Sequence, residues 1–360
     1  MKIIVSAGGT MGHINPALAI IEEFKREEKD LEIIYIGTHN RMEKEIIPKK
    51  GIHYEEIEIY GFSKDIKRDI KNIGCINRAT KKCLQIMREF KPDVVIGTGG
   101  YVTYPVLKAA HKLHIKTFIH EQNSIPGKSN KMISRYADLI GVTFTSSKKY
   151  FKTNKKIIYT GNPSASWALL VPKKDKEALG FTKGKKLLTI VAGSLGSESL
   201  NEKFKDFIIN VKPDNYEICY ITGKSLYDKF MTNFQVPDNV KVFPFMDELP
   251  GLIKCSDAVI SRAGAGSLSE ILVLKAPALI IPSPYVANNH QYYNAKEFSD
   301  KGLVLFMNES DITNAKLKEN IDNLLFSTET RYNLINNMEK EATLNSANYI
   351  YKSIKKIINN

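Results

Sequence analysis

Apolar positions along this chain fall into two alternating patterns. Short, largely apolar runs of three to five residues alternate with longer segments whose apolar residues return every third or fourth position. The first pattern fits strands buried on both faces, and the second fits helices packed along one side. The runs occupy residues 3–7, 33–36, 94–96, 117–119, 139–142 and 157–159, then restart at 187–191, 218–221, 240–243, 258–260 and 279–281. In the helix expected after the first run, Leu18, Ile20, Ile21 and Phe24 form the apolar side, with Pro16 near its start. Strand–helix alternation that appears twice predicts an α/β chain of two Rossmann-like domains with parallel sheets. At 360 residues the chain exceeds what one core comfortably serves. The expected bounds are 1–163, a linker at 164–184 that carries Pro172, Gly180 and Gly184, and 185–335. A helical segment at 336–360 is expected to return to the first domain.

Polar clusters follow several of the runs, at the edge where open α/β sheets bind ligands. The first is Gly8-Gly9-Thr10-Met11-Gly12-His13. It lacks the G-x-G-x-x-G spacing, and the second run ends in Gly37-Thr38-His39 with no acid for a nicotinamide-type ribose. Both features speak against a dehydrogenase. The run at 94–96 ends in Gly97-Thr98-Gly99-Gly100-Tyr101, and that at 117–119 ends in His120-Glu121-Gln122-Asn123. In the second half, the run at 258–260 leads through Gly264 and Gly266 into a helix pattern with Leu268, Ile271 and Leu272 on one face. Free N–H groups at such a helix start favour a phosphate. Ser267-Leu268-Ser269-Glu270 also fits a capping box, which gives Glu270 a purely structural role. A further cluster, Asn288-Asn289-His290-Gln291, follows the last run.

Charge changes the picture in one place. Residues 1–160 hold 28 Lys+Arg against 17 Asp+Glu, a net of +11, while the remainder holds 24 against 22. An anionic ligand or surface is therefore expected to meet the first half. The segment 64–91 carries nine Lys/Arg and three acids, with Ile66, Ile70 and Ile73 at i, i+4 and i+7 beside Lys67, Arg68 and Lys71. Either that stripe packs on the sheet, or it lies on an anionic membrane, where each nearby cation is worth about 1 kcal/mol. Phe62 beside Gly61 would suit an exposed apolar tip. Basic charge without interleaved aromatics or a recognition motif gives no support to nucleic-acid binding. No apolar run reaches membrane-spanning length, no signal peptide is expected, and four dispersed cysteines fit a reducing cytosol.

Seven segments, taken in order, resemble one known family: GGTMGHINPALAI, GTGGYVTYP, HEQNSIPGKSN, TGNP, AGSLGS, SRAGAGSLSEI and IPSPYVANNHQYYNA. The chain is similar, nearly end to end, to the MurG family of bacterial UDP-N-acetylglucosamine transferases, which convert lipid I to lipid II in peptidoglycan synthesis. The resemblance implies a GT-B fold, its two domains facing across a cleft. It implies inverting transfer from UDP-N-acetylglucosamine in the second domain to a lipid-linked acceptor in the first. It also implies a peripheral place on the cytoplasmic face of the cell membrane, and no cofactor or metal.

By position, Ala265, Gly266, Ser267, Leu268, Ser269 and Glu270 would cradle the donor, with Glu270 on the ribose. Gln291 would bind the transferred sugar, Ser194 would meet the pyrophosphate, and Phe245 and Met246 would flank the uracil. Thr10, Met11, Gly12, His13 and Asn123 would face sugar and acceptor. Histidine titrates near neutral pH, so His13 is the expected base. The leaving charge would be met by N–H groups at 264–267, and no Asp-x-Asp is present for a metal–diphosphate site. Three positions depart from the family: Met11 replaces glycine, Ser164 and Ala165 stand where an arginine follows Gly-Asn-Pro, and Leu195 replaces a polar or basic residue. A divergent paralogue acting on another lipid or aglycone, or a UDP-sugar-binding regulator without turnover, are the alternatives.

Overall fold

The computed structural model describes residues 1–61, 66–193, 196–211 and 215–359, and the side chains of 66–71 and 211 lie outside that description. The chain divides into two compact units, Met1–Ser166 with Asn345–Asn360, and Trp167–Leu344. The segment expected as a linker begins inside a helix, Pro163–Leu170. The helix Thr328–Glu341 stays in the second unit, and the chain re-enters the first at Asn345.

The first unit is built on seven strands, β1 (Lys2–Ala7), β2 (Glu32–Thr38), β3 (His53–Ile57), β4 (Val94–Gly99), β5 (Lys116–Glu121), β6 (Leu139–Val142) and β7 (Lys156–Tyr159). They pair in parallel in the order β3-β2-β1-β4-β5-β6-β7. Alternate residues of β1 feed opposite faces, as the strand period of two requires. Ile4 joins Ile36, Val95 and Ile119 beneath Ala79, Cys83 and Met87, while Ile3 and Val5 join Ile96 and Phe118 beneath Ile14, Ile20 and Phe24. Two cores on two faces explain why the strands read as unbroken apolar runs.

The second unit repeats the plan with β8 (Lys186–Val191), β9 (Tyr216–Ile221), β10 (Val240–Phe243), β11 (Ala258–Ser261), β12 (Ala278–Ile280) and β13 (Leu305–Phe306). Their order is β10-β9-β8-β11-β12-β13, again parallel. Leu188 and Ile190 face a core closed by Phe204, Phe207, Leu317 and Ile321, and Leu187 and Val191 face a smaller one with Leu252.

The basic segment forms the helix Ile66–Phe90. Its packed side is Cys75, Ala79, Cys83 and Met87, spaced by four, whereas Ile73 is 54% exposed. The stripe expected to lie on the sheet is therefore not the packed one at Ile73. Ile66, Ile70 and the flanking Lys67, Arg68 and Lys71 fall among the undescribed side chains, and Phe62 lies outside the described residues.

The closing helix Ser346–Ile358 inserts Ile350 and Ile354 into the core beside Phe24. Tyr351 meets Phe24 edge-on at 5.0 Å, and Lys355 pairs with Glu28 at 2.7 Å. Burial of aliphatic surface should dominate over that partly exposed ion pair. Ile350→Ala is expected to cost about 2–5 kcal/mol in urea unfolding, and Lys355→Gln no more than about 1 kcal/mol.

Candidate functional site

In the first unit the strand order reverses between β1 and β4, so the loops that leave these two strands diverge from a common crevice. The Gly8 N–H donates to Gly99 O at 3.2 Å. Gly99 and Gly100 have φ of +117° and +92°, where a side chain is strained. A Cβ on Gly100 would also collide with Gly8 O, and one on Gly99 would lie 2.6 Å from His13 Nδ1. The fully buried Glu43 holds the β1 loop from below. One carboxylate oxygen accepts the Gly9 N–H at 3.1 Å, and the other accepts the Thr38 N–H at 3.2 Å and hydroxyl at 2.7 Å. Thr10 is the extended N-cap of the helix Met11–Glu27 and makes no side-chain cap. Thr10, Met11 and Gly12 are exposed, and His13 is half-buried in the helix's first turn.

His13 is fixed at both ends. The Thr98 hydroxyl donates to its carbonyl at 2.7 Å, and its Nδ1 lies 3.3 Å from Gln122 Oε1. The loop after β5 that carries Gln122 is organised by Glu121, a buried carboxylate. It accepts N–H groups from Asn123 at 2.9 Å, Gly127 at 3.1 Å and the Asn130 side chain at 2.8 Å. Asn123 is thereby brought to the same strand edge as His13, half-buried. His120, in β5, is fully buried, and burial pushes its imidazole down to about 4. Sequence reasoning placed His13 and Asn123 here but assigned nothing to Glu43 or Gln122. An acid next to Met42 in a polar stretch carries no periodic signal of burial.

In the second unit the reversal falls between β8 and β11. Arg262, just past β11, is 6% exposed and ties the surrounding loops together. Its guanidinium donates to Ile281 O and Pro282 O, each at 3.2 Å, bonds the Ser197 hydroxyl, and pairs with Glu309 at 2.5 Å. Glu309 also accepts from the Ser199 hydroxyl at 2.5 Å. The helix Ala265–Leu274 starts with Gly264 as its extended N-cap, and its first internal bond runs from Leu268 N–H to Gly264 O at 3.0 Å. The amides of Gly266 and Ser267 precede that bond and are available to an anion. Gln291, at the start of the helix His290–Asp300, accepts the Ser283 N–H at 2.9 Å, and Asn294 donates to Ala263 O at 3.2 Å. Phe245 is 41% exposed, with Lys224 Nζ 4.5 Å from its ring centroid.

Several expected roles need correction. Ser267 lies inside the helix and does not cap it, because the extended residue is Gly264; the capping-box role of Glu270 falls with it. Leu268 and Ser269 are buried, the Ser269 hydroxyl donates back to Ala265 O at 2.7 Å and the Leu268 N–H to Gly264 O, so their side chains are taken up by the fold. Met246 is only partly buried beside Leu252 and Phe245 is exposed, which leaves the expected place of both at the uracil uncontradicted. Ala165 is 2% exposed, so an arginine there would displace packed neighbours instead of reaching a phosphate. Ser194 and Leu195 lie outside the described residues. Among the described residues, no cluster of three or more His, Cys, Asp or Glu is placed to hold a metal ion.

Glu270 has no hydrogen-bond partner among the described residues, and desolvation pushes its carboxyl up to about 7. Its folded pKa exceeds the ordinary value of 4.5. The associated stability is therefore present below about 4.5 and is lost as pH rises through about 7. Melting curves of the ligand-free protein should show the wild type falling behind Glu270→Gln across that window, by at most about 1.4 kcal/mol per pH unit. Parallel curves would mean that the carboxyl titrates normally.

Comparison with known proteins agrees with this architecture. The glycosyltransferase family 28 N-terminal domain matches residues 3–142, and the family's C-terminal domain matches 187–354. A UDP-N-acetylglucosamine–N-acetylmuramyl-(pentapeptide) pyrophosphoryl-undecaprenol N-acetylglucosamine transferase of Halalkalibacterium halodurans is 43% identical over 330 residues, covering 90% of this chain and 91% of the relative. The enzyme of the same name from Bacillus cytotoxicus is 41% identical over 363 residues, covering 99% and 100%. The crystal structure of Acinetobacter baumannii MurG superposes with a TM-score of 0.78 at 26% identity, over 99% of both chains. This chain belongs to glycosyltransferase family 28, in its MurG branch, and is an N-acetylglucosaminyltransferase of the GT-B fold.

Proposed function

We propose that this enzyme transfers N-acetylglucosamine from UDP-N-acetylglucosamine to lipid I (undecaprenyl-pyrophosphoryl-N-acetylmuramyl-pentapeptide), with inversion, giving lipid II. The observation that carries the reading is His13. Its ring is held at the carboxyl edge of the first sheet, at the switch point, in a chain whose relatives are named for this reaction. In the reaction an acceptor hydroxyl oxygen bonds the anomeric carbon and gives its proton to His13. The bond from that carbon to the diphosphate breaks, and UDP leaves with the electron pair. The amides of Gly266 and Ser267 stabilise the departing charge. Glu270 accepts from the ribose hydroxyls, Gln291 binds the sugar, Phe245 covers the uracil, and Ser194 meets the pyrophosphate. Thr10, Met11, Gly12 and Asn123 face the sugar and acceptor.

His13→Ala should lower transfer to a lipid I analogue by about 10²–10⁴-fold, with donor affinity by calorimetry unchanged. A variant that keeps its turnover would remove His13 as base. A wild type that binds UDP-N-acetylglucosamine and never transfers it to the analogue would sink the acceptor assignment.

The same reading gives the first unit an anionic membrane surface as partner. No described helix is long and apolar enough to cross a membrane. A net of +11 on residues 1–160 and an isoleucine, Ile73, 54% exposed on a basic helix support surface attachment. Changing Lys67, Arg68 and Lys71 to Gln together should reduce co-sedimentation with anionic vesicles, and added salt should do the same by screening. Binding indifferent to both would leave the helix a packing element only.

A further inference from the structure

We propose that Gln122 is a positioning residue for the transfer reaction. It holds His13 in the tautomer with hydrogen on Nδ1 and is itself held by His120, so that His13 Nε2 presents an open lone pair. This rests on the reading of His13 as the base.

Hydrogen-bond direction fixes each step. A carbonyl oxygen only accepts, and Thr98 O lies 2.8 Å from Gln122 Nε2, so the nitrogen end of the amide has to stand there. His120 Nε2 lies 3.0 Å from Gly161 O, so that nitrogen carries the hydrogen. The buried ring is neutral, which leaves its Nδ1 bare. That bare nitrogen lies 3.2 Å from Gln122 Nε2 and the His120 carbonyl 3.3 Å from it, so the amide's second hydrogen is taken up on the His120 side. Both amide hydrogens are then committed, and only Gln122 Oε1 faces His13, at 3.3 Å from Nδ1. An amide oxygen has no hydrogen to give, so the hydrogen between them belongs to His13 Nδ1. Gln122 is 2% exposed and His120 is fully buried, so water does not compete for these bonds. Glycine at position 99 leaves the space that the ring occupies.

The consequence is chemical. In water a neutral imidazole prefers hydrogen on Nε2, and in that form the outer nitrogen cannot take a proton. Ordering a base in the correct tautomer through the other ring nitrogen is the role a carboxylate plays in hydrolase triads. Here a neutral amide fills it.

The test uses the full-length enzyme labelled with ¹⁵N-histidine, the His13 signal being assigned by its loss in His13→Ala. The neutral wild-type ring should carry its hydrogen on Nδ1. In Gln122→Met, close in volume and unable to accept, the hydrogen should move to Nε2. The turnover number should then fall about 10–10²-fold, less than the loss expected for removing the base itself, with the KM for UDP-N-acetylglucosamine within about two-fold. Wild-type hydrogen on Nε2 would overturn the proposal without any variant, even if Gln122→Met fails to fold. So would a Met variant whose tautomer moves while its turnover number stays. Full turnover in His13→Ala, with wild-type hydrogen still on Nδ1, would overturn the base reading and leave the hydrogen-bond chain standing.

Discussion

Backbone N–H groups in loops that leave a buried sheet edge have no ladder to pair with, and leaving them bare costs as much as a lost hydrogen bond. In the first unit of this protein buried carboxylates meet that demand. Glu43 takes the Gly9 N–H beneath the first glycine loop, and Glu121 takes the Asn123 and Gly127 N–H groups beneath the next. In the second unit the donor to be satisfied is Arg262, and Glu309 pairs with it while holding Ser199. Burying a carboxylate is expensive, and a buried ion pair adds little net stability compared with apolar packing. What these groups supply is one fixed arrangement of loops whose backbones would otherwise have several.

That constraint explains where the sites fall. Both sheets reverse strand order beside their first strand, β1 against β4 and β8 against β11. Two loops diverge at each reversal and leave backbone groups uncovered. In the first unit the gap is lined by a titratable ring and amide side chains. In the second the loops that leave β8 and β11 are tied together through Ser197 and Arg262, and the helix after β11 opens with unbonded amides. The first set suits proton transfer at a hydroxyl, and the second suits an anionic nucleotide. The division of labour follows from which side chains the same topology carries to its edge.

Much of this was legible in the sequence, and the misses have physical causes. Strands buried on both faces announce themselves as apolar runs, and eleven such runs matched strands. β3 reads His53-Tyr54-Glu55-Glu56-Ile57, an edge strand of mostly polar residues, and β13 is two residues long; neither has a run to see. The helix Ile66–Phe90 was recognised by its charge, but three isoleucines outweighed the small buried residues Cys75 and Ala79 that do the packing. The capping box at Ser267 failed because two glycines left the helix start ambiguous by three residues. Buried acids such as Glu43 and Glu309 were invisible, since a sequence does not show which polar residue the fold will enclose.

The choice of glutamine beside His13 follows from the same accounting of donors and acceptors. Position 122 has to offer hydrogens to Thr98 O and to His120 and a lone pair to His13. A carboxylate could serve His13 but would turn an acceptor toward Thr98 O and leave a second charge buried beside Glu121. A lysine or arginine could serve Thr98 but not His13. Asparagine has the right groups on a side chain one carbon too short. An amide of glutamine length meets all three demands at once. It is also neutral, so it orients the imidazole without adding a charge beside the ring. If His13 is the base proposed above, releasing its proton after each turnover is better served by such a partner than by an ion pair.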